Sequence, residues 1–179
     1  MTETQRPDRG IAHVRRFDVP GQNAILAVGD FHDLFAEFLA HSRRYDSDVD
    51  DLSYVMARQG LAGAALQLAF RHKGESVGWT INVTEPALNL FITGSSAAAT
   101  VTGRVFTEGV KSLESSRLFV ETKRAGRPQP FLSSLDVEGL DVLLMFEQYF
   151  RRSEQTPARF LELSDEEIEQ LKKEGVLVV

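Results

Sequence analysis

Four aspartates crowd one stretch of the chain, Asp46, Asp48, Asp50 and Asp51. Alternate carboxylates at that spacing can converge on a hard cation such as calcium. The rest of the ligand set is missing: Asp51 stands where a calcium loop needs glycine, and Ala57 where it needs a bidentate glutamate. Acids just ahead of an apolar run are expected instead to complement the positive end of a helix.

Other chemistries fail on the same kind of test. The four histidines, His13, His32, His41 and His72, show neither HxH nor HExxH spacing, so metal ligation is not expected. Gly94-Ser95-Ser96 lies between two strand patterns and lacks the G-x-S-x-G frame of an activated serine, so it reads as a turn. No glycine-rich phosphate loop precedes a helix. Glu147 and Glu154 share a helical segment and could serve as acid and base, yet exposed helical carboxylates are ordinarily a solvated face. The chain has no cysteine, which removes disulfides, thiolate zinc sites, iron–sulfur clusters and cysteine nucleophiles. No enzymatic activity and no cofactor are expected.

With 42% hydrophobic and 26% charged residues among 179, the composition is that of a globular chain that can bury a core. The net charge of −6 is spread out, and the basic run Lys123-Arg124-Ala125-Gly126-Arg127 is too short for a nucleic-acid footprint. The most apolar stretch, residues 61–70, is far shorter than the ~20 residues a bilayer crossing requires. Residues 1–10 are polar and lack the apolar core of a secretory signal; a flexible N-terminus, one domain over residues 11–179 and a cytoplasmic location are expected. Neither nucleic acid nor membrane is an expected partner.

The elements that must carry any site follow from periodicity. Residues 12–17 and 23–28 read as a hairpin around Pro20-Gly21. Asp30 can cap a helix with Phe31, Leu34, Phe35, Phe38 and Leu39 on one stripe. A second helix over residues 50–70 carries Leu52, Val55, Met56, Leu66 and Phe70 as its larger apolar contacts. Its centre is small, with Gly60, Ala62, Gly63, Ala64 and Ala65. Each glycine costs about 1 kcal/mol in a helix, so close packing must repay it. From Ser76 the period becomes two, giving strands over 76–84, 87–93 and 100–106, then a pair over 118–122 and 131–135. Helix returns near Leu140, with Val142, Leu143, Phe146, Tyr149 and Phe150 on one side, and stops before Pro157. Ser164 and Glu167 form a capping box for a last helix, with Gly175 placed as its C-cap. The order predicts an α+β domain, an antiparallel sheet with helices packed on one side.

The string Phe146-Glu147-Gln148-Tyr149-Phe150-Arg151-Arg152-Ser153-Glu154-Gln155-Thr156-Pro157 resembles the E-x-Y-x-x-x-S-E-Q-x-P segment of the 33 kDa chaperonin family, the redox-regulated heat-shock holdase of bacteria. Glu147, Tyr149, Ser153, Glu154, Gln155 and Pro157 match in place, and Ala158 replaces a small hydroxyl residue. The small-residue helix around Gly60 to Leu66, the strand at Trp79 to Val83 and the Glu85-Pro86-Ala87-Leu88 turn are similar to the same family's alanine-rich helix and strand connection. That connection departs in detail, with Thr84-Glu85 where the family has an aspartate and a glycine. The likeness runs over residues 14–163.

The resemblance implies the family's core domain, with the six matched residues as structural markers. It does not bring the family's zinc domain, whose four cysteines sense oxidants and release a linker from a client-binding surface. The implied function is ATP-independent binding of partly unfolded proteins, without that switch. The alternative is a specific interaction or regulatory module on the same fold, with a homodimer or dedicated partner on the surface. On the sheet, Trp79, Ile81, Leu88, Leu90 and Ile92 are expected to face the helices. Thr80, Asn82, Asn89, Phe91, Thr102, Arg104 and Phe106 should face outward, with Phe91 and Phe106 as candidate client contacts.

Overall fold

The computed structural model describes residues 12–19, 21–45, 49–110 and 114–174. A hairpin of β1 (His13–Val19) and β2 (Ala24–Asp30) leads into α1 (His32–Arg44) and α2 (Asp51–Leu68). Five strands follow: β3 (Ser76–Val83), β4 (Leu88–Ser95), β5 (Thr100–Phe106), β6 (Arg117–Lys123) and β7 (Phe131–Asp136). They form one antiparallel sheet in the order β5-β4-β3-β6-β7. The chain closes with α3 (Val142–Tyr149), a π-helical turn (Phe150–Glu154) and α4 (Asp165–Lys173). The expected α+β class is the observed one. Residues 1–10, Pro20, Asp46, Asp48, Gly175 and Val176 to Val179 lie outside the described residues.

Strict alternation builds the core. Val77, Trp79, Ile81 and Val83 of β3 are buried, as are Leu88, Leu90 and Ile92 of β4 and Leu118 and Val120 of β6. They meet Met56, Ala57, Leu61 and Ala64 of α2 and Val142, Met145, Phe146 and Tyr149 of α3. The small centre of α2 is used as expected: a Cβ on Gly60 would run into Ile92, and one on Gly63 into the ring of Phe146. Trp79 stacks on Phe146 with centroids 4.0 Å apart, meets Tyr149 edge-on at 4.8 Å, and donates its indole N–H to Gln67 Oε1 at 2.9 Å.

Several local expectations need correction. The N-cap of α1 is Phe31, without a side-chain cap; Asp30 Oδ1 instead accepts the His32 N–H at 3.0 Å. Phe38 alone of the predicted α1 stripe is fully buried, because the helix lies at the margin of the core, with Leu34 and Phe35 packed against it. Val55 is exposed because the helical phase that buries Met56 and Ala57 turns it outward, and Phe70 is exposed beyond the helix end. Leu143 and Phe150 are half-buried, and Met145 takes the core position. The capping box is present, with Ser164 Oγ accepting the Glu167 N–H and Glu167 accepting the Ser164 N–H.

Candidate functional site: a buried clasp and an open sheet face

The matched motif folds into a clasp. α3 begins at Asp141, whose Oδ1 accepts from the N–H groups of Leu143 and Leu144. Beyond Tyr149 the helix widens into the π turn and stops at Gln155, which takes a left-handed conformation at φ 54°. The Thr156 N–H closes that turn on the Phe150 carbonyl at 3.0 Å. The widened turn brings Tyr149 and Glu154 together, and the phenol donates to Glu154 Oε1 at 2.6 Å. Arg71, on the segment after α2, donates to the same oxygen at 2.7 Å.

The electrostatics follow from that geometry. Burial works to raise the Glu154 carboxyl, but the hydrogen bonds from Arg71 and Tyr149, with the charges of Arg71 and Arg124, hold it below its ordinary value of 4.5. Burial, then the adjacent Glu154 carboxylate, pushes the Tyr149 phenol up from 10.0 to about 12. Thr122 Oγ1, close enough to the phenol to ease that rise, is buried without a hydrogen bond at bonding geometry. Glu147 ties down the returning chain, accepting the Phe160 N–H at 2.8 Å and Arg159 Nη1 at 3.2 Å. Ser153 is half-buried, and Gln155 and Pro157 are exposed. Glu147 and Glu154 are thus each engaged by partners of their own.

The remaining sequence candidates are dispersed. The four histidines are exposed, one on β1, two on α1 and His72 in the loop after α2. Asp50 caps α2, accepting the Ser53 N–H at 2.7 Å, and its carboxyl is lowered by the backbone and side-chain hydrogen bonds from Ser53. Ser96 latches the turn after β4, donating to the His72 carbonyl at 2.7 Å. Among the described residues, no group of three His, Cys, Asp or Glu side chains is placed to hold a metal ion. None of their helices is long and apolar enough to cross a membrane.

Among the described residues, no element packs on the other side of the five-stranded sheet. Phe91 and Phe106 both point outward, 40% and 36% exposed, with ring centroids 5.5 Å apart and edge to face. Arg104 lies over the Phe106 ring at 4.7 Å. Register adds two residues that the sequence reading had not assigned to this face. Thr80 pairs with Phe91 on one side and with Phe119 on the other, and Glu121 pairs with Leu132. Phe119 is 37% exposed and Leu132 69%. The uninterrupted run Leu118-Phe119-Val120 hides the face of Phe119, since large apolar residues occupy both parities.

This is an α+β core: an antiparallel sheet with its helices and a stacked Trp–Phe–Tyr cluster on one side, and no described element on the other. The chain is similar in fold to the 33 kDa chaperonin (heat shock protein 33 homologue) of Thermotoga maritima, with a TM-score of 0.54 and 19% identity over 77% of this chain. The matched part spans 59% of that protein. No protein-family model and no curated protein matches the sequence. The likeness therefore stands at the level of the fold.

Proposed function

We propose that this chain is an ATP-independent holdase that binds partly unfolded polypeptides on its outer sheet face. It does so without enzymatic chemistry or a bound cofactor, and acts in the cytosol. One observation carries the reading: Phe91, Phe106 and Phe119 stand exposed on the same sheet face as Leu132, a face on which no described element packs. Large apolar groups that face water in one patch gain free energy, roughly 25 cal/mol per Å² of apolar surface, whenever a client covers them. The fold shared with a 33 kDa chaperonin supports the same reading. No cysteine is present in this chain to carry a thiol switch.

A dedicated interaction module is the second reading, favoured by the β1–β2 ribbon. Its Phe17, Ile25 and Leu26 are exposed, which suits a second copy or one specific partner. Light scattering of two unrelated, thermally unfolding proteins decides between the two, measured with and without this chain under reducing and oxidising conditions. The holdase reading expects scattering to fall for both clients in either condition. Protection of neither leaves the dedicated module.

A further inference from the structure

Gly78 is the third residue of β3 and has no structural reason to be glycine. Its φ lies outside the left-handed region, and a Cβ there would meet only Glu121 Cβ at 3.9 Å, an ordinary contact. A glycine inside a strand weakens it and often marks the place where another backbone comes close. Above Gly78 the outer face sinks into a hollow of about 300 Å³, lined by Ser76, Thr93, Ser95, Thr102 and Lys123, with Glu121 also on its wall. The Thr93 and Thr102 hydroxyls share a hydrogen bond at 2.8 Å and Ser95 accepts the Ala98 N–H at 3.3 Å; the donors and lone pairs left over, with the Ser76 hydroxyl, can pair with backbone N–H or C=O groups whatever the sequence above them.

Beside Gly78 itself stand Thr93 and Glu121; the walls rise one residue pair further along β3, at Thr80. Phe91 and Phe119 stand one strand to either side of Thr80, so about 10 Å separates them, the width of one extended chain. The charge on the face is also distinctive. It carries Arg104, Arg117 and Lys123 against Glu121 and Asp136, in a chain whose net charge is −6. Arg117 is paired with Asp136 at 3.0 Å, which leaves Arg104 and Lys123 against Glu121. The face is locally positive where the molecule as a whole is negative.

Resting on the holdase reading, we infer that the outer face seats one extended polypeptide segment along β3. Its backbone lies over Gly78, its aromatic or aliphatic side chains lie against Phe91 and Phe119, and acidic residues flank them. The test uses two fluorescein-labelled dodecapeptides of alternating leucine and threonine, one ended by aspartates and one by lysines, with binding read by anisotropy.

Gly78→Leu fills the floor, and the expected result is about tenfold weaker binding of the aspartate peptide with an unchanged melting temperature. The aspartate peptide should bind the unsubstituted chain more tightly than the lysine peptide, and salt should narrow the difference. If Gly78→Leu does not fold, Thr93→Leu fills the same hollow from β4 and should weaken binding likewise. Client protection together with unweakened peptide binding by the folded variant overturns the groove and leaves the holdase reading standing. Equal binding of the two peptides overturns the acidic preference. If the unsubstituted chain neither protects clients nor binds either peptide, the holdase reading falls and the groove falls with it.

Discussion

Tyr149 and Glu154, five residues apart, share a 2.6 Å hydrogen bond because the helix between them widens into a π turn. A regular α-helix places i and i+4 on one face and carries i+5 past it; the wider turn brings i+5 back. Arg71, separated from Glu154 by 83 positions, completes the clasp. The end of α3 is thereby fastened to the segment that follows α2.

Removing Glu154 should therefore be costly out of proportion to its size. Glu154→Ala leaves the Arg71 guanidinium and the Tyr149 hydroxyl poorly paired, at an expected cost of about 2–4 kcal/mol. Tyr149→Phe removes one hydrogen bond and keeps the packing on Trp79, and should cost about 1 kcal/mol. Urea unfolding followed by the fluorescence of Trp79, the single tryptophan, measures both.

The same clasp sets two pH limits. The folded-state value of Glu154 lies below 4.5, so its contribution is present above the unfolded value and is lost as pH falls through the folded one. The Tyr149 value is raised to about 12, so its contribution is complete below 10 and is lost as pH rises toward 12. Melting temperatures taken across pH should show the gap between the parent chain and Glu154→Gln shrinking in acid, below about 4. A gap that stays constant through that window would sink the assignment.

Gly63→Ala pits propensity against packing. Alanine favours the helix by about 1 kcal/mol, but its methyl runs into the ring of Phe146, itself stacked on Trp79. Overpacking wins, and a net loss of about 1–3 kcal/mol is expected in thermal unfolding. The emission of Trp79 should shift as its stack is disturbed.

On the open face the expected loss is of function. Phe91→Ser and Phe119→Ser remove rings that are 40% and 37% exposed, and Phe91 also gives up its edge-to-face contact with Phe106, so each should cost about 1–3 kcal/mol and still leave a folded chain, to be checked by its melting curve. Together they should abolish most suppression of client aggregation in the scattering assay. Full protection by the double variant would move the client surface elsewhere, the β1–β2 ribbon being the next place to look.

Much of this fold can be read from spacing alone. Period-two alternation locates β3 and β4 and assigns Trp79, Ile81, Leu90 and Ile92 inward, because each strand is wet on one face and dry on the other. The glycines of α2 announce a close approach, but not that Phe146 and Ile92 make it, since those partners lie far along the chain. Val55 and Phe70 mislead for a related reason: a helix with so many small residues has no broad apolar stripe to fix its rotation. The Arg71–Glu154 tie is illegible locally. The motif residues are visible as a string, yet the string does not tell that Glu147 reaches Phe160 while Glu154 reaches Arg71.

The strand order carries a kinetic consequence. Short connections join β3 to β4, β4 to β5 and β6 to β7, whereas β3 meets β6 only after the chain has passed through β4, β5 and the longer segment that follows β5. Local pieces form cheaply, and the contact of longest loop is the last to be repaid. The β3–β6 border is therefore expected to be the slow zipper of this sheet, the line along which it forms late and parts early. Thr80 and Phe119 sit directly across it. A segment lying along β3 and held by Phe91 and Phe119 straddles that line, so it slows the parting of the two halves and lengthens the lifetime of the sheet that holds it.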